Sequence, residues 1–114
     1  MKNSYREDLE KLLEQANPGL ACSDRLEFKN VFGAVAGYVD GNIFISCGKF
    51  GVALKLPLET LGELFKAEDV EPLRYFPKGH IKKEYAVLPD RMLGNERLLR
   101  ELLDKSVMYV NAPS

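Results

Sequence analysis

EFKNVFGAVAGYVDGNIFISCGKFGVALKLP, residues 27–57, decides the fold. At its centre, Asp40-Gly41 lies between two β-type runs. An Asp-Gly pair is favoured in two-residue type I′ hairpins, because both central residues need positive φ. The turn predicts a register with Val39 opposite Asn42, Tyr38 opposite Ile43, Ala36 opposite Ile45 and Ala34 opposite Cys47. A four-residue loop over Gly48-Lys49-Phe50-Gly51 then sets Cys47 against Val52, Ile45 against Leu54 and Ile43 against Leu56. The stretch reads as a three-stranded antiparallel meander.

Residues directly opposite one another share a sheet face. One face therefore collects Ala36, Tyr38, Ile43, Ile45, Cys47, Val52, Leu54 and Leu56, and this is the predicted core. The other holds Val35, Val39, Phe44, Ser46, Ala53 and Lys55. Gly37 is expected opposite Phe44, where an aromatic ring can cover a bare strand glycine. A one-residue slip would exchange the two faces.

Outward from the meander, Ser4 and Glu7 form the S-x-x-E of a capping box. Tyr5, Leu9, Leu12, Leu13 and Ala16 follow at helical spacing, and Asn17-Pro18-Gly19 ends that helix. Leu26 and Phe28 alternate with charged residues, as in a strand leading into the meander. After it, Pro57 suits a first helical turn. Leu58, Leu61, Leu64 and Phe65 then recur on one face, with Gly62 weakening the helix by up to ~1 kcal/mol. Leu73 to Phe76 reads as a short strand, Pro77 to His80 as a turn and Ile81 to Leu88 as a longer strand closed by Pro89-Asp90. Asn95 is placed to cap a last helix carrying Leu98, Leu99, Leu102, Leu103 and Val107. The order α-β-β-β-α-β-β-α predicts a two-layer α+β domain, an antiparallel sheet with helices on one face.

At 114 residues the expectation is one domain spanning 1–114, large enough to bury a core without metal or disulfides. A net charge of −1 gives no global field toward nucleic acid or anionic lipid. No apolar run reaches the ~20 residues of a membrane span. The charged N-terminus lacks a signal-peptide apolar region, and Cys22 and Cys47 are too few for a disulfide framework. These features predict a cytoplasmic protein without membrane contact. Cys47 falls on the predicted core face, where a free thiol acts as a small hydrophobe.

Few residues suggest chemistry. His80, the single histidine, sits in a predicted turn with no second ligand nearby, so it reads as solvated and no metal site is expected. The acidic residues fall on helix faces and in the break at Glu68 to Glu71. The glycines match neither phosphate-binding fingerprint. No catalytic residue, cofactor or enzymatic activity is expected. Arg74, Lys78, His80, Lys82 and Lys83, with Tyr75 and Phe76 among them, form one basic cluster and a candidate nucleic-acid contact. The same lysines would guard an exposed strand against edge pairing, and the slightly acidic chain puts that reading first. Val35, Val39, Phe44 and Ala53 form a candidate self-association face, because the predicted helices suffice to cover only the opposite face of the sheet. A two-fold homodimer is the expected form.

FGAVAGYVDGNIF (32–44), GVALKLP (51–57), KGHIKKEYAVLPDRML (78–93) and the leucine-rich last helix together resemble the N-terminal domain of the TfoX/Sxy family. The resemblance covers roughly Val31 to Val110, in order and spacing. One departure is Ala34, where many members have a second glycine after Phe-Gly. The resemblance implies a secretion-chaperone-like α+β domain, standing alone without the helical C-terminal domain of full-length relatives. Those relatives are bacterial competence regulators that help a cyclic-AMP receptor protein activate transcription. The expected role is thus a non-enzymatic protein-interaction domain with a protein partner, such as a transcription factor. The alternatives are nucleic-acid contact through Arg74 to Lys83 and small-ligand binding on the mixed sheet face.

Overall fold

The Ser4 hydroxyl accepts the Glu7 backbone N–H at 3.1 Å and so starts the first helix where the sequence places it. The computed structural model describes residues 4–16, 25–74 and 79–112. Helix α1 (Tyr5–Ala16) buries Leu9, Leu13 and Ala16, the centre of its predicted stripe. The Asn17-Pro18-Gly19 stop and Cys22 lie outside the described residues.

The meander has four strands rather than three: β1 (Leu26–Val31), β2 (Ala34–Val39), β3 (Asn42–Gly48) and β4 (Gly51–Lys55). The alternating Leu26–Phe28 segment is β1. Between β1 and β2 the chain turns on Phe32 and Gly33, with φ of 50° and 79°, and Val31 pairs Ala34. Asp40 and Gly41 turn with φ of 54° and 80°, as an Asp-Gly hairpin requires. The third connection is tighter than expected, because Gly48 pairs Gly51 and leaves only Lys49 and Phe50 in the loop.

Val39 faces Asn42 and Tyr38 faces Ile43 as the turn predicts, but the register then shifts by one residue. Gly37 pairs Ile45, Ala36 pairs Ser46 and Val35 pairs Cys47, so Phe44 is the extra residue of a β-bulge. A Cβ on Gly37 would stand 2.7 Å from Ile45 Cγ2 and 3.3 Å from the Phe44 ring. Glycine is therefore required there, although Phe44 is not its direct partner.

The bulge re-sorts the two faces. Ile45, Cys47, Val52, Leu54 and Leu56 lie in the helix-side core as expected, but Val39 and Phe44 join them and Val35 packs against them. Tyr38 and Ile43 fall on the opposite face, with Ala36 between Val35 and Gly37 on the same side as Tyr38. The face of Val35, Val39, Phe44 and Ala53 expected for self-association does not exist as one exposed surface. Phe44 is 0% exposed beneath the helices, and Ala53 belongs to the other side of the sheet with Leu73 and Tyr85.

Beyond β4, Pro57 precedes α2 (Leu58–Leu64), which buries Leu61; Leu58, predicted on the buried stripe, is 82% exposed. Strands β5 (Glu71–Leu73) and β6 (Lys82–Leu88) complete a six-stranded antiparallel sheet of order β1-β2-β3-β4-β6-β5. Strand β5 is Glu71–Leu73, beginning two residues before the predicted Leu73 and leaving out Arg74; Tyr75 and Phe76, the rest of that predicted strand, and Pro77 and Lys78 are outside the described residues. Pro89 leads into a short helix α3 (Asp90–Leu93). Asn95 then caps α4 (Glu96–Asn111), its side chain accepting the Leu98 N–H at 3.2 Å.

All four described helices place residues in one cluster on one face of the sheet: Leu13, Leu61, Met92 and Leu103 are representative. Polar contacts lock this layer. Arg100 donates to the Ala16 carbonyl at 2.7 Å, putting a cation at the C-terminal end of α1. Arg91 grips Asp69 through two bonds of 2.6 and 2.8 Å, which holds the Asp69 carboxyl below the usual carboxylate range. Ser106, a buried polar residue on the α4 stripe, bonds backbone carbonyls of the sheet.

Candidate interaction surface

The sheet face away from the helices is paved with small side chains. Ala34, Ala36, Ser46 and Ala53 are all nearly or fully buried there. Larger residues rise around them. Val31, Phe32, Ile81, Lys82, Lys83 and Tyr85 line a cleft of about 560 Å³ together with Lys55 and Glu84. The β1–β2 turn and the start of β6 thus face each other across the sheet, although three strands separate β1 from β6. A bulge bends its strand and increases local twist, which is a route by which such distant strands come to share one cleft.

Lys55 and Glu84 form an ion pair at 3.4 Å. On its other side a second cavity of about 560 Å³ is lined by residues including Tyr38, Ile43, Tyr109 and Val110. Its end is held by polar contacts: Asn42 Nδ2 donates to Asn111 Oδ1 at 3.0 Å, and Arg25 pairs with Asp40 at 3.0 Å. Asn111, which also donates through Nδ2 to Asp40 Oδ2 at 3.5 Å, ties the C-terminal end of α4 to the Asp40-Gly41 turn, and Arg25 braces the turn from just before β1.

Phe32 is the distinctive residue of the first cleft. A bulky side chain at φ 50° costs about 1 kcal/mol relative to a glycine or asparagine there. The residue is nevertheless 66% exposed. Ile81, across the cleft, is 43% exposed. An apolar pair is therefore held in solvent beside two lysines. Among the described residues, neither Lys82 nor Lys83 forms an ion pair.

The described members of the predicted basic cluster line two adjoining cavities. Lys82 and Lys83 flank the Phe32 cleft. Arg74 lines an adjoining cavity of about 490 Å³ with Phe50, Glu71, Pro72, Ile81 and Val87. His80 is exposed beside Ile81, and Lys78 lies outside the described residues. Ile81 belongs to both cavities. Phe32, Ile81 and Lys55 were not among the sequence candidates. For the first no local signal was available, since phenylalanine seldom turns at positive φ.

Cys47 is buried, and burial, with a smaller push from the Asp8 carboxylate, raises its thiol to about 11. It is neutral at pH 7 and packs as the small hydrophobe that the sequence predicts. Among the described residues, no three His, Cys, Asp or Glu side chains converge, and no helix is long and apolar enough to cross a membrane.

The family model of the TfoX N-terminal domain matches residues 19–109. A search of curated proteins found no match to the chain.

Proposed function

We propose that this chain, which belongs to the TfoX N-terminal domain family, is a non-enzymatic protein-interaction domain acting in transcription control. The observation that carries this reading is Phe32, an aromatic ring kept exposed in a disfavoured backbone conformation and facing Ile81 across a cleft. Disfavoured conformations persist where the surrounding structure enforces them, and they concentrate at binding sites. An exposed apolar pair beside lysines suits a protein segment with an apolar anchor and acidic flanks. The partner is thus an acidic segment of another protein, with a transcription factor as the family-based expectation.

The test compares the tagged chain with a Phe32→Asp/Ile81→Asp variant in affinity capture from its own cells. Both positions are exposed and aspartate tolerates the left-handed backbone at 32, so the variant should melt cooperatively and no lower than the parent. The reading expects a defined protein partner on the parent and its loss from the variant. Identical captured sets would contradict it. Lys82, Lys83 and His80 favour a second reading, contact with a nucleic-acid backbone. Fluorescence anisotropy with labelled duplex and single strands decides that one. Binding that falls steeply with salt, and less steeply after Lys82→Ala/Lys83→Ala, would support it.

A further inference from the structure

Strand β1 is a sheet edge six residues long, and among the described residues no strand pairs with its outer side. The Asp40 N–H donates to the Arg25 carbonyl at 3.3 Å, so Arg25 points its backbone toward β2. In an antiparallel ladder the inward and outward backbone groups alternate. Glu27, Lys29 and Val31 therefore bond β2, in agreement with the two-residue turn that follows Val31. Leu26, Phe28 and Asn30 direct their N–H and C=O groups outward. Such an edge is a template for another strand unless something blocks it. Strand β5, at the opposite edge, is only three residues long and contains Pro72, which has no N–H to offer.

We infer that β1 pairs with β1 of a second copy of this chain, antiparallel about a two-fold axis through Phe28. In that register Phe28 meets Phe28 and Leu26 meets Asn30. Each copy then contributes three outward N–H donors and three acceptors, all matched. Glu27 falls opposite Lys29 of the second copy, twice by symmetry. These are the close pairs of an antiparallel ladder, with Cα atoms about 4.5 Å apart. Glu27 and Lys29 are exposed, and Lys29 lies along the outer face with its ammonium 5.0 Å from the Tyr38 ring centre. Leu26 and Phe28, half-buried against the helices, would lose their remaining exposure.

Charge selects this register from its neighbours. An axis through Glu27 would oppose Glu27 to itself and Arg25 to Lys29. Axes through Leu26 or Asn30 would carry the pairing beyond the ends of β1. An axis through Lys29 would oppose Lys29 to itself and Glu27 to Val31, so of these axes only the one through Phe28 sets opposite charges against each other. The interface is separate from the Phe32 cleft, so either can fail without the other.

Sedimentation equilibrium from micromolar to sub-millimolar concentration tests it. The expected result is a concentration-dependent dimer. Glu27→Lys and Lys29→Glu should each weaken it about tenfold, because like charges then face each other across the pair. The Glu27→Lys/Lys29→Glu double variant should restore it, and an equimolar mixture of the two single variants should form a heterodimer. Asn30→Pro should weaken the dimer while leaving the far-ultraviolet circular dichroism unchanged, since that N–H faces away from β2. A monomer at every concentration, or a dimer indifferent to these changes, would overturn the proposal.

Discussion

The Ser106 hydroxyl on α4 donates to the Lys55 carbonyl at 2.6 Å and lies 3.1 Å from the Phe44 carbonyl. The β3–β4 ladder ends at Ile45 and Leu54, so Phe44 and Lys55 would be its next pair. They are not paired. Phe44 is instead the bulged residue of β3, and the hydroxyl stands between the two carbonyls where the strands part. One serine thus joins the last helix to the bulge that sets the two sheet faces.

Ser106→Ala should destabilise the protein by roughly 1–3 kcal/mol, because it leaves the Lys55 carbonyl without its donor and removes the hydroxyl from beside the buried Phe44 carbonyl. Urea denaturation at neutral pH reads this as a lower midpoint with an unchanged slope. A midpoint equal to that of the parent would mean that water replaces the hydroxyl at no cost.

Phe32→Asn should raise stability by up to ~1 kcal/mol, since asparagine tolerates the left-handed conformation that phenylalanine resists. The same change should weaken partner binding. Thermal unfolding and binding measured on one preparation separate the two effects. Lower stability in the variant would show that the ring supports the fold.

Two glycines should respond in opposite directions. Gly62 has nothing within 4 Å of where a Cβ would stand, so Gly62→Ala should gain up to ~1 kcal/mol. Gly37→Ala would press on Ile45 and Phe44 and should cost about 1–3 kcal/mol. Chemical denaturation of both variants is the check.

Cys47 should impose a pH dependence at alkaline pH. Its thiol is raised from 9.0 to about 11 in the folded chain. Below the unfolded value both states hold the proton and the full stability is present. Between the two values the unfolded chain loses its proton first, so stability falls as pH rises from 9 to 11. Cys47→Ala should remove this part of the decline. An identical alkaline slope in the variant would show that other groups cause it.

The hairpin at Asp40-Gly41, the caps at Ser4 and Asn95 and the helical stripes were legible because each is a local signal. The bulge was not. Ile43, Phe44 and Ile45 form an unbroken apolar run, and such a run carries no alternation from which to read which side each residue takes. That one residue moved Val39 and Phe44 under the helices and Tyr38 to the opposite face. The turn at Phe32-Gly33 was hidden for a different reason, because phenylalanine at positive φ is unusual and Val-Phe-Gly-Ala looks like continuous strand. At the cleft, Lys82 and Lys83 were visible as charges. Their meeting with Phe32 is a relation between β6 and the turn after β1, three strands away, which no local pattern encodes. Ser106 was readable in principle, as the polar residue following Leu99, Leu102 and Leu103 on the buried stripe.

The most direct test of the interaction surface is site-specific photocrosslinking in the native cells. A photoreactive phenylalanine analogue would be placed at position 32, at position 81 and at position 58. Leu58 is the control, because it is more exposed than Phe32 but lies on α2, on the helix side of the molecule. The predicted result is one discrete protein adduct shared by positions 32 and 81 and absent from position 58. Adducts that are the same from all three positions, or no protein adduct from position 32, would contradict a partner-binding cleft at Phe32 and Ile81.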